Sequence, residues 1–214
     1  MDESTMSPIN QCGYFLSALD DFRELIAVSE RYWPEELCLY KDSLESEDDK
    51  LPIRFGYRRD QWANLESEFP QLQRKSYLVM LMALFEDFLK QLCEAIKDEE
   101  NIQASIFNSK HSGIDAAKKY IKKNASFNFP CDIQEWENIV NSQKIRNVVV
   151  HAAGFPIVDR HAYQIKIIKN SGDLLAIEEY SRKHLILGEK YLYTVIETME
   201  KYVKRLCSEI GTKS

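Results

Sequence analysis

The sequence lacks the features that would send a chain out of the cytoplasm. Its first residues, Met1-Asp-Glu-Ser-Thr-Met-Ser-Pro8, contain neither the basic start nor the apolar stretch of a secretory signal. No apolar run approaches the roughly 18 residues that a membrane span needs, so the expected location is cytoplasmic and no membrane partner is expected. There is no Cys-x-x-Cys pair. Cys12, Cys38, Cys93, Cys131 and Cys207 stand apart and are odd in number, which argues against a disulfide frame or a zinc knuckle and fits reduced, mostly buried thiols. Positive charge is not in excess either: 28 Lys and Arg against 34 Asp and Glu leave a net charge of -6. No global field therefore draws the chain to nucleic acid, and any such contact must be local. Internal repeats and low-complexity tracts are also missing.

What is present is a globular balance. Hydrophobic residues make up 44% of the 214 positions and charged residues 29%, enough to bury one sizeable core. Phe15, Leu19, Phe22, Leu25, Ile26 and Ser29 recur at helical spacing and predict a first helix from Pro8 to about Arg31, its apolar face running out near Trp33-Pro34. Residues 41–59, acidic at first and then carrying Pro52 and Gly56, read as irregular. A second helical region spans Asp60 to Lys97, with a candidate break at Pro70. Its later half holds the strongest stripe in the chain: Tyr77, Leu81, Leu84, Phe88, Leu92 and Ile96, widened by Leu78, Phe85, Leu89 and Cys93. Such a helix must be central to the core.

Gly113 to Lys123 reads as a short basic helix. Asp132, with Glu135 three residues on, looks like an N-cap and capping box; the helix it opens runs to about Ala152 and is stopped by Gly154 and Pro156. Next, Tyr163–Lys169 and Leu174–Glu178 flank Asn170-Ser171-Gly172-Asp173 in the pattern of a β-hairpin. Ser181 can then cap a last helix that keeps Leu185, Leu192, Val195, Ile196, Met199, Val203, Leu206 and Ile210 at helical spacing. The expected fold is mainly α, a helical bundle with one β-hairpin inserted before the last helix. Residues 1–60 add an N-terminal helix and acidic loop to a helical domain over 61–214.

Chemistry concentrates where the Asp132 helix ends. By spacing, Ile133, Trp136, Val140, Asn147 and His151 share a face that begins apolar and ends in an amide and an imidazole, where a plain core would prefer apolar residues. Arg146 flanks that line, with a side chain long enough to swing towards the helix end. Plainer roles exist: Arg146 as a cation favoured at a helix C-terminus, and His151 as a cap there. Lys118, Lys119, Lys122 and Lys123 form two i,i+4 pairs that read either as a grip on RNA phosphates or as a solvated face. His111, His161 and His184 have no matching partners and read as surface residues, whereas Tyr77, Phe85, Phe88 and Trp136 read as core.

Arg146-Asn147-Val148-Val149-Val150-His151 resembles the pattern of the HEPN superfamily (higher eukaryotes and prokaryotes nucleotide-binding): Arg, a polar residue, three mainly apolar residues, His. Many members of that family are RNases. In them the motif ends the third helix of a four- or five-helix bundle, which is where periodicity places it here. The stretch Tyr77–Cys93, with Glu86 amid apolar residues, is similar to the family helix that carries an acidic residue. The likeness spans roughly residues 70 to 210.

The resemblance implies a metal-independent endoribonuclease of toxin or antiphage-defence type, with no cofactor, acting on RNA at a homodimer interface and neutralised or regulated by an antitoxin or other protein. In that reading His151 takes a proton from a ribose 2′-OH or gives one to the leaving 5′-oxygen, since histidine ordinarily titrates near pH 6.5. Arg146 keeps its charge and offers a fork of donors to the phosphorus centre. Asn147 would hold the imidazole or bind a phosphate oxygen, and Glu86 would orient Arg146 or His151, unless it is only a structural partner of Arg146. One histidine per chain leaves the acid or the base step short, which is the reason to expect two chains face to face. No zinc or magnesium constellation is visible in the sequence, so the proton transfers are expected to fall to side chains. The alternative is a catalytically silent HEPN bundle acting as a nucleotide- or protein-binding module.

Overall fold

The computed structural model describes residues 6–46, 59–103, 106, 113–179 and 183–212. Helix α1 (Pro8–Ser46) opens the chain, and helix α2 (Phe69–Glu99) follows a helical lead-in over 59–63 and a π turn, Asn64–Glu68. Helices α3 (Ile114–Asn124), α4 (Gln134–Ala152) and α5 (Ala162–Asn170) come next, then strands β1 (Leu175–Glu179) and β2 (Lys183–Leu187), and finally helix α6 (Glu189–Gly211). Among the described residues the chain is mainly helical, with one antiparallel hairpin before the last helix, the class of fold that its sequence predicts.

The α2 stripe lies at the centre. Helices α1, α3, α4 and α6 all pack on it, and Leu78, Leu81, Phe85, Leu89, Leu92 and Cys93 are fully buried. Aromatic rings tie four helices together. Phe15 of α1 stacks on Phe88 with centroids 4.5 Å apart, Phe85 meets Tyr202 of α6 at 6.0 Å, and Tyr202 meets Trp136 of α4 at 5.3 Å. Each such side chain removes well over 100 Å² from water, and edge and offset contacts add about 0.5–1.5 kcal/mol per pair. Because Cys12, Phe15, Leu19 and Ile26 belong to this core, the N-terminal helix is part of the bundle.

Four local readings need correction. First, α1 does not stop near Pro34 but continues to Ser46, so residues 41–46 are helical; 47–58 lie outside the described residues. A proline inside a helix costs about 3 kcal/mol, and tertiary contacts around it offset that cost. Trp33 donates to Gln73 and packs on Phe69 at 5.6 Å, while Arg74 grips Glu30 through Nε at 2.7 Å and Nη2 at 2.5 Å. Second, the chain is not broken at Pro70: helical backbone runs from residue 59 through the π turn into α2, where Phe69 N–H bonds Asn64 C=O, and Pro70 follows this π turn in the first turn of α2. Third, Asp132 is not the cap of α4. Ile133 holds that position in extended backbone, and no side chain caps it.

The fourth correction moves the hairpin. Tyr163–Lys169 lies in helix α5, and β1 pairs instead with Lys183–Leu187, in the register Leu175 with Leu187 and Ile177 with Leu185. The alternation Tyr163, Ile165, Ile167 mimics a strand, but the burial of Ile168 with partial burial of Gln164, Ile165 and Ile167 follows a helical face, and short apolar runs allow either reading. Leu185 therefore belongs to β2, and α6 starts after Gly188; Ser181 lies outside the described residues. Gln71 fixes the hairpin to α2 by acting like a neighbouring strand. Its amide accepts from Leu187 N–H and donates to Leu187 C=O, both at 2.9 Å.

Candidate functional site

Helix α4 carries the motif, and its packing decides which motif side chains reach solvent. The buried residues are Trp136, Ile139, Ser142, Ile145 and Val148, an advance of three residues at a time. Three residues turn a helix by about 300°, so this line winds round the axis and leaves the straight row from Ile133 to His151. Asn147 is consequently half-buried and His151 exposed; the two polar groups do not point into the core as the spacing suggested. The helix ends in a left-handed turn. Ala153 (φ 49°) and Gly154 (φ 79°) reverse the chain, and both their N–H groups reach back to Val148 C=O, that of Gly154 at 3.1 Å, so one helix-end carbonyl closes the turn.

Arg146 leans on its neighbour, donating from Nη1 to Asn147 Oδ1 at 3.2 Å. Its Nε is buried and has no partner among the described residues. Glu86 does not meet it: the Glu86 carboxylate accepts from Gln143 Nε2 at 2.6 Å, and Gln143 Oε1 is also buried without a partner. Among the described residues, no hydrogen bond or ion pair joins Arg146 to His151 or Glu86 to either. An unsatisfied buried donor and acceptor on adjacent turns of one helix form an unusual pair, since each costs about 1–3 kcal/mol when unpaired. Gln143 was missed in the sequence, although it stands three residues before Arg146 and four residues before Asn147.

His151 borders a groove of ≈ 840 Å³ between the end of α4 and the start of α5, together with Phe155, Ile157, Arg160, His161 and Gln164. Among the described residues no carboxylate lines it. His161, which the sequence presented as an unpartnered surface residue, is fixed by a hydrogen bond from Ile157 N–H to its Nδ1 at 3.0 Å. Helical register could not link it to His151, because a non-helical turn separates the two helices.

Behind this turn lies a pair that also escaped the sequence reading. Lys75 of α2, only 6% exposed, places Nζ 2.7 Å from Nε2 of His184 on β2, and Phe155 stacks on the His184 ring at 5.0 Å. His184 is thus a partner and not a free surface residue. Burial lowers the Lys75 pKa against the opposing pull of Glu68 and Glu178. Burial, then the Lys75 charge, lowers that of His184, so the ammonium donates to a neutral ring. Gly154 passes over the pair closely enough that a Cβ there would stand 3.4 Å from Lys75 Nζ, and Leu185 N–H bonds Gly154 C=O at 2.8 Å. Hairpin and lysine together hold the end of α4 in place.

The lysines of α3 do not join the groove. Lys118 lies over Trp136 with Nζ 5.7 Å from the ring, whereas Lys119, Lys122 and Lys123 are exposed. Trp136 and His151 are separated by about four helical turns, roughly 22 Å along the axis, so these cations flank the opposite end of α4. Among the described residues no three His, Cys, Asp or Glu side chains gather as a metal would require, and no helix is long and apolar enough to cross a membrane. No family model matches the chain, and no curated protein or solved structure matches it.

Proposed function

We propose that the protein is a metal-independent endoribonuclease of the HEPN kind, centred on His151 and Arg146 at the end of α4. The observation that carries this reading is the placement of the Arg-Asn-x3-His motif on a bundle helix: the imidazole is exposed on the last turn, beside a groove that no carboxylate lines among the described residues, and Arg146 holds a buried Nε without a partner among them. A phosphodiester entering such a groove meets Arg160 and two histidines and no carboxylate among the described lining residues. In cleavage, His151 takes the proton of the ribose 2′-OH as that oxygen attacks phosphorus, or protonates the departing 5′-oxygen, and the Arg146 guanidinium meets the charge that develops on the phosphoryl oxygens. Asn147, bonded to Arg146, positions the guanidinium.

The need for a second proton-transfer group favours a homodimer with two motifs facing each other. Val150, Ile157, Val158 and Tyr163, each about half exposed, give the surface next to the motif an apolar character that a second copy would cover. A toxin or defence role, with a neutralising protein as partner, follows from the same reading. Purified protein should cut single-stranded RNA equally well with and without EDTA, and His151→Ala and Arg146→Ala should each lose about a hundredfold or more in rate while keeping the parent's melting temperature within a few degrees. Cleavage by His151→Ala at the parental rate, or loss of cleavage in EDTA, would refute the reading.

A second reading, a catalytically silent bundle that binds a small ligand, is favoured by a separate cleft of ≈ 500 Å³ between α4, α5 and α6. Asn138, Asn141, Asn170, Thr194 and Thr198 line it, a set suited to an uncharged hydrogen-bonding group such as a nucleobase. Nucleoside binding by a protein that cuts no RNA would select it.

A further inference from the structure

The groove beside His151 contains more cationic and donor chemistry than the motif itself supplies. Its polar side chains are His151 from α4, Arg160 from the turn, and His161 and Gln164 from the start of α5. Two further clefts differ in kind. The cleft of ≈ 580 Å³ by the hairpin is lined by Glu30, Glu66, Glu68, Glu178 and Glu189 against Arg74 and His184, and the cleft along α6 balances Glu137 against Lys166. Of these three, the His151 groove alone suits a phosphate.

His161 is also committed to one role. Its Nδ1 accepts the Ile157 N–H, so the neutral ring carries its proton on Nε2 and can only donate from there. A ring held in this way offers Nε2–H as a fixed hydrogen-bond donor. Arg160 is the adjacent residue, and its guanidinium is permanently charged and can bind two phosphate oxygens at once.

We infer that Arg160 and His161 form a phosphate-binding site that holds an RNA phosphodiester next to His151, within one chain. The inference rests on the endoribonuclease reading and adds to it two substrate-binding residues outside the motif. His161 Nε2–H and the Arg160 fork hold the non-bridging oxygens, and His151 is left to move the proton. Binding and proton transfer thus fall to different side chains of the same groove, which separates their effects on KM and kcat.

The test combines steady-state cleavage of an RNA oligonucleotide with a titration of adenosine 3′-monophosphate followed through the histidine ring resonances of protein labelled with ¹⁵N-histidine. Arg160→Ala should raise KM and the Kd for the nucleotide by about tenfold or more, and His161→Ala should raise both by about threefold to tenfold, the range for charged and neutral hydrogen bonds; kcat should stay within about twofold. In the parent, the His151 and His161 rings should shift together with one Kd. Should the parent bind the nucleotide in this way but cut no RNA, the endoribonuclease reading falls and the phosphate site stands. Should it cut RNA while Arg160→Ala and His161→Ala leave KM and Kd unchanged, or should the nucleotide leave the His161 ring unshifted, the phosphate site is overturned and the cleavage reading stands.

Discussion

Tyr202 offers a prediction whose direction runs against the usual rule that core substitutions destabilise. The residue is fully buried among Phe85, Phe129 and Trp136, and its hydroxyl is buried without a partner. Loss of water around that oxygen pushes the phenol pKa far up. An unsatisfied hydroxyl costs about 1–3 kcal/mol, and Tyr202→Phe removes it while keeping the ring and its aromatic contacts. The void left behind is smaller than a water's share of volume, about 30 Å³, so at about 24 cal/mol per Å³ its cost stays below about 0.7 kcal/mol. The variant should therefore be more stable by about 1–2 kcal/mol, which for a chain of this length corresponds to about 3–6 °C in Tm. Urea unfolding followed by far-ultraviolet circular dichroism would measure it, with the slope unchanged and the midpoint raised. A lower midpoint would show that the hydroxyl is bonded in solution, and the packing described around α4 would need revision.

Three further outcomes follow from specific contacts. Gly188→Ala should destabilise by about 2–3 kcal/mol in the same assay, because a Cβ there would stand 2.6 Å from the backbone oxygen of Asp173, an atom that cannot swing aside. The His184 pKa is lowered in the fold, so below about pH 6.5 the unfolded chain binds more protons than the folded one. Stability contributed by this site is complete above that pH and declines as pH falls through it. Lys75→Met, which removes the second cause of the shift, should lose less between pH 7.5 and pH 5.5 than the parent in urea titrations at the two values. Finally, a hydrogen bond from Cys12 lowers the Cys207 thiol below its ordinary range, so iodoacetamide should label Cys207 faster than a free cysteine near neutrality, and Cys12→Ala should slow that labelling at least severalfold by mass spectrometry.

The sequence exposed those features that helical periodicity encodes directly. The α2 stripe from Tyr77 to Ile96 and the α6 series from Leu192 to Ile210 needed only a spacing of three and four, and the end of α4 needed only the stop at Gly154 and Pro156. It was opaque where tertiary contacts overrule local preference. Pro34 stays helical because Trp33 and Glu30 find partners on α2, and Ile165 and Ile167 are helical because Ile168 faces the core. The hairpin was legible as a class but not as a pairing, since nothing local distinguishes Lys183–Leu187 from the start of a helix. The site behaved similarly. Arg146, Asn147 and His151 are neighbours along one helix and could be read as a motif, but Gln143 as partner of Glu86, Lys75 beneath Gly154, and His161 beside His151 depend on chain segments meeting in space.

The central claim is that His151 serves attack by a ribose 2′-OH, and a single substrate pair tests it most directly. Two oligoribonucleotides identical except for one 2′-deoxyribose at the mapped cleavage position should be incubated with the parent protein and with His151→Ala in EDTA, and the product ends read by mass spectrometry. The expected result is cleavage of the all-ribose strand by the parent alone, leaving a 2′,3′-cyclic phosphate and a 5′-OH, with the deoxy-substituted strand intact at that position. Cleavage of both strands alike, or a product bearing a 5′-phosphate, would contradict the account.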